Sequence, residues 1–115
     1  AFFFFMPYSP VRKMIQAGLP VALASDYNPG SSPSGNMKFI MSLGCINYKM
    51  LPEEVINATT LNSAYAMGVE EEAGSIAVGK LANFYITTPI SGIEYLPYAY
   101  TADLIEAIFL KGEQY

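Results

Sequence analysis

Histidine does not occur anywhere in this chain of 115 residues. Its absence excludes, within the chain, a Ser-His-Asp triad, a Cys-His pair, an HExxH helix and a multi-histidine metal cage, since each needs an imidazole as base or ligand. Cysteine is limited to Cys45, so no intrachain disulfide can form, and a reducing cytoplasm is the compartment that fits. Charge is sparse too: 14% of the residues are Asp, Glu, Lys or Arg, against about 25% in ordinary soluble domains. The net charge of −4 argues against nucleic acid or an anionic membrane as a partner. No run reaches the length of a membrane-spanning helix. The apolar opening Ala1–Met6 has no basic region before it and no cleavage pattern after it, so it is not read as a targeting segment. It reads instead as a buried strand end or the start of a loop, and the chain as beginning partway through a larger fold.

What the sequence has in excess is apolar side chains, at 52%. A domain this small leaves much of its surface in water, so a cover for that surface is expected. Two covers compete: the remainder of a larger fold, or a second copy in an obligate oligomer.

The local pattern predicts a short helix from Ser9 to Gly18, with Ser9 as cap, Pro10 in the first turn and Gly18 as stop. The apolar run Val21–Asp26 after Pro20 predicts a strand buried on both faces. Tyr27 to Gly35 has the Gly, Pro, Asn and Ser content of a structured loop. A helix is expected over Asn36–Lys49, where Met37, Ile40, Met41, Leu43 and Ile46 make a wide apolar stripe and deep burial. Pro52-Glu53-Glu54 opens another helix, and Leu61–Met67 a further one ending at Gly68. Beyond the Glu70–Glu72 run, read as a solvated linker, Ser75–Lys80 and Asn83–Thr87 predict short strands around glycine turns. Leu104–Leu110 then predicts a strand entering a hairpin at Lys111-Gly112. This order is a fraction of an α/β sheet or barrel. A complete eight-stranded barrel takes about 250 residues, more than this chain holds.

The chemistry concentrates in Ser25-Asp26-Tyr27-Asn28-Pro29-Gly30-Ser31-Ser32-Pro33. Asp26 falls at the C-terminal end of the expected buried strand, where barrel enzymes keep their reacting groups. A carboxylate there can bind a metal and exchange protons with a metal-bound water. Behind it, Asn28, the bare backbone of Gly30 and the hydroxyls of Ser31 and Ser32 can surround an anionic substrate group. On spacing alone the turn reading prevails, since aspartate beside Asn-Pro-Gly is most often a turn former.

The stretch Ala24–Pro33 (ASDYNPGSSP) resembles the loop that follows the last barrel strand in the imidazolonepropionase family of amidohydrolases. The resemblance continues through Thr60–Gly68, through Glu72–Phe84 with its spaced glycines, and through Leu96–Tyr100, so it covers essentially the whole chain. The Asp-x-Asn-Pro-Gly-Ser-Ser loop is its specific part; the later pattern is common to many amidohydrolases. The fold this implies is α/β: the last strand and helices of a metal-dependent (β/α)₈ barrel over residues 1–73, then the C-terminal part of a small β-sandwich over 74–115. The activity it implies is hydrolytic opening of 4-imidazolone-5-propanoate to N-formimidoyl-L-glutamate, a step of histidine degradation. Asp26 would be both a catalytic proton carrier and a ligand of one zinc or iron ion. Asn28 and Gly30 would hold the formimidoyl-glutamate and Ser31 the propanoate end.

The family's histidines, arginine and further tyrosine are not in this chain, so by itself it is expected to be inactive. Asn83 also stands where aspartate is usual, and Ala99 and Thr101 where related loops often carry histidine and glycine; all three lie outside the expected site. Cys45 is read as a small core residue, because it falls in an apolar helix with no imidazole to activate it. The sequon Asn57-Ala58-Thr59 is discounted because it falls in a predicted helix. Tyr95–Tyr100 is assigned to core or interface, and Gly79-Lys80 lacks the spacing of a phosphate loop. The expected partners are a small-molecule substrate and a homodimer mate or other cover for the apolar faces. Two rival readings remain: another amidohydrolase, such as a nucleobase deaminase, and a non-catalytic self-associating module.

Overall fold

The computed structural model describes residues 7–115, so the expectation for Ala1–Met6 lies outside the described residues. The first helix, α1, spans Val11–Gln16. Ser9 does not cap it through its side chain; its carbonyl accepts the Val11 N–H at 2.8 Å, and Pro10 takes the cap position. Gly18, at φ +78, turns the chain out of the helix in the left-handed conformation that glycine adopts without penalty.

The segment expected as a doubly buried strand is extended, but it joins no sheet among the described residues. Val21 and Leu23 are buried while Ala22 and Ala24, which alternate with them, are exposed, so one face is covered, not two. Helix ends take the place of neighbouring strands. Leu23 N–H donates to the Ala58 carbonyl at 3.0 Å. Asn62 Nδ2 donates to the Val21 carbonyl at 2.8 Å, and Ser63 Oγ to the Leu23 carbonyl at 3.2 Å. Buried backbone groups must find partners, and these side chains supply them.

Helix α2, Met37–Ile46, starts where Asn36 accepts the N–H groups of Lys38 and Phe39. Its burial is narrower than the sequence predicts: Met41, Ser42 and Gly44 are buried, whereas Met37 and Ile46 are exposed. Helix α3, Pro52–Thr59, has Glu54 accepting the Leu51 N–H at 2.7 Å. Arg12 reaches across from α1 to form an ion pair with the same carboxylate and also donates to the Lys49 carbonyl. Helix α4, Leu61–Ala66, follows directly. Val11, Val21, Leu23, Met41, Met50, Val55 and Ala58 form the core that α1, α2, α3 and the extended segment share. Cys45 packs half-buried against it, and burial raises its thiol pKa, in keeping with a core role.

The remainder is a small antiparallel sheet in the order β1-β2-β3, with β1 Phe84–Thr87, β2 Ile105–Leu110 and β3 Glu113–Gln114. Phe84 and Phe109 face each other in register and stack at 4.9 Å. The hairpin between β2 and β3 has positive φ at both Lys111 and Gly112, and Asn83 Oδ1 secures it by accepting the Lys111 N–H at 2.8 Å. A short helix, α5, Tyr95–Tyr98, comes between β1 and β2; its Leu96 packs on the core, and Tyr100 just beyond it meets Phe39 at 5.5 Å.

Ser75–Lys80 is not a strand. Ile76 and Val78 are 88% and 108% exposed, and the chain turns through Gly79 at φ +91, with the Lys80 N–H donating to the Ala77 carbonyl at 3.2 Å; the Lys80 ammonium also donates to the Glu70 and Ala73 carbonyls. Glu70 is accordingly half-buried rather than a solvated linker residue, while Glu71 and Glu72 are exposed. The chain is therefore α/β with a small antiparallel sheet. No helix among the described residues is long and apolar enough to cross a membrane.

Candidate functional site

The extended segment ends in Ser25 and Asp26, and Asp26 takes φ +50, a left-handed conformation that L-residues other than Asn and Asp seldom adopt. The loop behind it is closed by Asn28. Asn28 Oδ1 accepts from Gly30 N at 3.0 Å, Ser31 N at 2.8 Å and Ser31 Oγ at 3.1 Å. Its Nδ2 donates back to the Asp26 carbonyl at 2.7 Å. Asn28 and Ser32 exchange backbone hydrogen bonds at 2.9 and 3.3 Å, and Ser32 Oγ donates to the Ser25 carbonyl at 2.8 Å. Asn-Pro-Gly-Ser-Ser folds this way because the asparagine oxygen mimics a backbone carbonyl across a turn that Pro29 and Gly30 permit.

Beside this loop lies an open cavity of about 380 Å³. Ser25, Asp26 and Ser32 line one side, and Tyr8, Leu23, Phe39, Ile40, Leu43 and Tyr48 make up most of the rest. The walls are mostly apolar, and Asp26 brings the one carboxylate to the lining. Tyr8 and Tyr48 meet edge to face at 5.3 Å. Burial, and then the neighbouring Tyr8, push the Tyr48 hydroxyl pKa above its ordinary value.

Of the residues that the sequence singles out, Asp26 is at the cavity, exposed, with no side-chain hydrogen bond to another described residue. Asn28, Gly30 and Ser31 share the loop with it but do not line the cavity. The amides of Gly30 and Ser31, expected to meet an anionic group, are directed at Asn28 Oδ1. Tyr8, Phe39 and Tyr48 are cavity residues that sequence reasoning does not single out, and Ser32, named there for its hydroxyl, lines the cavity too. The three aromatic ones come from separate parts of the chain, and no local spacing connects them.

Among the described residues no group of three His, Cys, Asp or Glu side chains is close enough together to hold a metal ion. A catalytic metal takes about three protein donors, and the cavity lining offers one carboxylate, that of Asp26. These residues do not make a metal centre by themselves. They present a carboxylate, able to accept and return a proton, at the edge of an apolar cavity of small-molecule size.

Residues 8–112 match the model of the amidohydrolase family. The chain is similar to the imidazolonepropionase of Flavobacterium johnsoniae, at 55% identity over 113 residues, which cover 98% of this chain and 28% of that protein. It is also similar to the imidazolonepropionase of Streptococcus pyogenes serotype M3, at 44% identity over 106 residues, or 92% of this chain and 25% of that one. A crystal structure of an amidohydrolase from Thermotoga maritima superposes on 90% of this chain and 24% of its own, with a TM-score of 0.70 at 21% identity. The chain thus spans little more than a quarter of the length of these curated relatives. Amidohydrolases as a group generally use a divalent metal.

Proposed function

Because this chain belongs to the amidohydrolase family, we propose that it is the C-terminal part of an imidazolonepropionase, which hydrolyses 4-imidazolone-5-propanoate to N-formimidoyl-L-glutamate in histidine degradation. The observation that carries this reading is the 55% identity over 98% of the chain to a protein of that name, a span that includes the Asp26–Ser32 loop. On this reading residues 1–73 are the last βα portion of a (β/α)₈ barrel. Residues 74–115 are the C-terminal part of its small β-sandwich, to which the antiparallel sheet belongs.

The reaction adds water across a ring amide: an oxygen–carbon bond forms at the ring carbonyl, the carbon–nitrogen bond breaks, and a proton must leave the water and reach the departing nitrogen. Asp26 is the group that carries this proton, first as base and then as acid. Its single carboxylate also marks it as one ligand of a zinc or iron ion, with the remaining donors in parts of the longer protein outside this chain. The loop of Asn28, Gly30 and Ser31 takes the other end of the molecule, with Ser31 toward the propanoate. The apolar side chains of Leu23, Phe39, Ile40 and Leu43 offer the ring a nonpolar wall.

The same reading supplies a cover for side chains as exposed as Tyr27 (68%), Met67 (76%) and Tyr98 (81%). The rest of a protein of the relatives' length would bury them, and a homodimer would take what remains. Such an enzyme would work in the cytoplasm on a small-molecule substrate.

The test is to assay the 115-residue chain and the longer protein side by side on imidazolonepropanoate, with metal analysis of both. The longer protein is expected to turn over the substrate and to hold zinc or iron. The short chain is expected to do neither. Turnover by the short chain, or a longer protein that deaminates a nucleobase and leaves imidazolonepropanoate intact, would overturn the reading.

A further inference from the structure

We infer that Tyr100 is a positioning residue: it backs Phe39, and through Phe39 it sets how tightly the cavity beside Asp26 holds the substrate ring. Phe39 belongs to two environments at once. It lines the cavity together with Asp26 and Ser32. Its ring also meets that of Tyr100, with centroids 5.5 Å apart and planes tilted by 49°. Both residues are half-buried, so the contact takes apolar surface out of water. Tyr100 itself is not a lining residue, so any effect it has on a bound molecule passes through Phe39.

The neighbouring residue of α2 is tied to the same turn. Lys38 Nζ donates to the Ala102 carbonyl at 2.9 Å. The Ala102 N–H donates to the Ala99 carbonyl at 2.9 Å, which closes a turn around Tyr100. That turn is anchored on both sides. Leu96 before it packs on the core, and Leu104 after it is 8% exposed and accepts the Thr88 N–H at 2.9 Å through its carbonyl. From the other direction Asn36 Oδ1 accepts the N–H groups of Lys38 and Phe39. The first turn of α2 is therefore held by its own cap and by the turn that leads into β2. A side chain held in one rotamer before a ligand arrives need not be ordered when it binds. The contact with Phe39 is ring on ring, so phenylalanine can stand in for Tyr100 and leucine cannot.

The kinetic arm of the test rests on the imidazolonepropionase reading; the stability arm does not. In the longer protein, Tyr100→Leu removes the ring behind Phe39 and Tyr100→Phe keeps it. Tyr100→Leu is expected to raise KM for imidazolonepropanoate about fivefold with kcat within about twofold, because binding weakens while Asp26 stays in place. Tyr100→Phe is expected to bring KM back to within about twofold of the unsubstituted value. With Phe39→Leu already present, Tyr100→Leu should raise KM no further, since the wall it backs is gone. A fall in kcat at unchanged KM, an unchanged KM, a Tyr100→Phe variant as impaired as Tyr100→Leu, or the same rise on top of Phe39→Leu overturns the proposal. Urea unfolding midpoints of the two leucine variants and their double need no substrate. The double variant should lose less than the two single losses together, and additive losses overturn the proposal. If the unsubstituted longer protein does not turn over imidazolonepropanoate, the functional reading fails, and the midpoints still decide whether Tyr100 backs Phe39.

Discussion

Gly44 lies in α2 where that helix meets α3 and the extended segment, and replacing it with alanine tests the packing that carries Asp26. Inside an ordinary helix the change from glycine to alanine stabilises by about 1 kcal/mol. Here the new Cβ would sit 3.0 Å from Val55 Cγ2 and 3.1 Å from Leu23 Cδ1, with Val55 Cγ1 at 3.6 Å. Carbon atoms prefer a separation of about 3.5–4.0 Å, so two of the three contacts are too close. Val55, 0% exposed, is held on all sides, while Leu23, 8% exposed, can give only toward the cavity it lines beside Asp26. Overpacking of this kind costs about 1–3 kcal/mol. Set against the helix gain, Gly44→Ala should destabilise by about 1 kcal/mol. The assay is the urea unfolding midpoint of the longer protein, measured for Gly44→Ala, Val55→Ala and the double variant. Val55→Ala deletes both Cγ atoms, so the double variant should show a favourable coupling above about 0.5 kcal/mol. A stabilising Gly44→Ala, or additive costs in the double variant, would refute the close approach of α2 to α3 and Leu23.

Two further expectations follow from the same geometry. The Glu54 carboxyl is held below its ordinary pKa, first by its hydrogen bonds to Arg12 and then by the Leu51 N–H. The stability it adds is therefore complete above the unfolded value near 4.5 and lost as pH falls through the folded one. The pair is partly exposed, with Arg12 at 33% and Glu54 at 24%, so its worth is below about 1 kcal/mol. Glu54→Gln should lower the unfolding midpoint at pH 7 and do so less and less as the pH falls below 4.5 and through the folded-state pKa; an effect that does not change with pH would remove the ion pair from the account. Gly74 and Gly79 both have positive φ, at +85 and +91, but a Cβ on Gly74 would come within 2.5 Å of Ala64 Cβ, while nothing lies within 4 Å of one on Gly79. Alanine at Gly79 should cost about 1–2 kcal/mol from backbone strain alone, and at Gly74 clearly more; thermal melts of the two variants compare them, and equal costs would contradict the packing of Gly74 on α4.

Much of the helical part was legible because local signals suffice for it. Asn36 caps α2, Pro52 and Glu54 open α3, and Gly18 ends the turn after α1, each as residue type and position predict. The hairpin at Lys111-Gly112 and the strand over Phe84–Thr87 were legible for the same reason. What failed depends on distant groups. Ser75–Lys80 alternates like a strand, yet no strand among the described residues pairs with it: it turns at Gly79, and the Lys80 ammonium folds back on the Glu70 and Ala73 carbonyls. Val21–Asp26 reads as a strand buried on both faces, but its hydrogen bonds go to Ala58, Asn62 and Ser63, some forty residues away or nearly so. At the site, Asp26 and the loop residues were visible as a motif. That Asn28 uses its amide inside the loop, and that Tyr8 and Tyr48 share the cavity, are facts of three-dimensional packing that no spacing carries.

Replacing Asp26 with asparagine in the longer protein tests the central claim most directly, because asparagine fits the left-handed backbone at this position but cannot carry the proton. With imidazolonepropanoate as substrate, kcat should fall at least about a hundredfold, while the unfolding midpoint stays close to that of the unsubstituted protein. Turnover within a few fold of the unsubstituted enzyme would contradict the account, and would take Asp26 out of the chemistry.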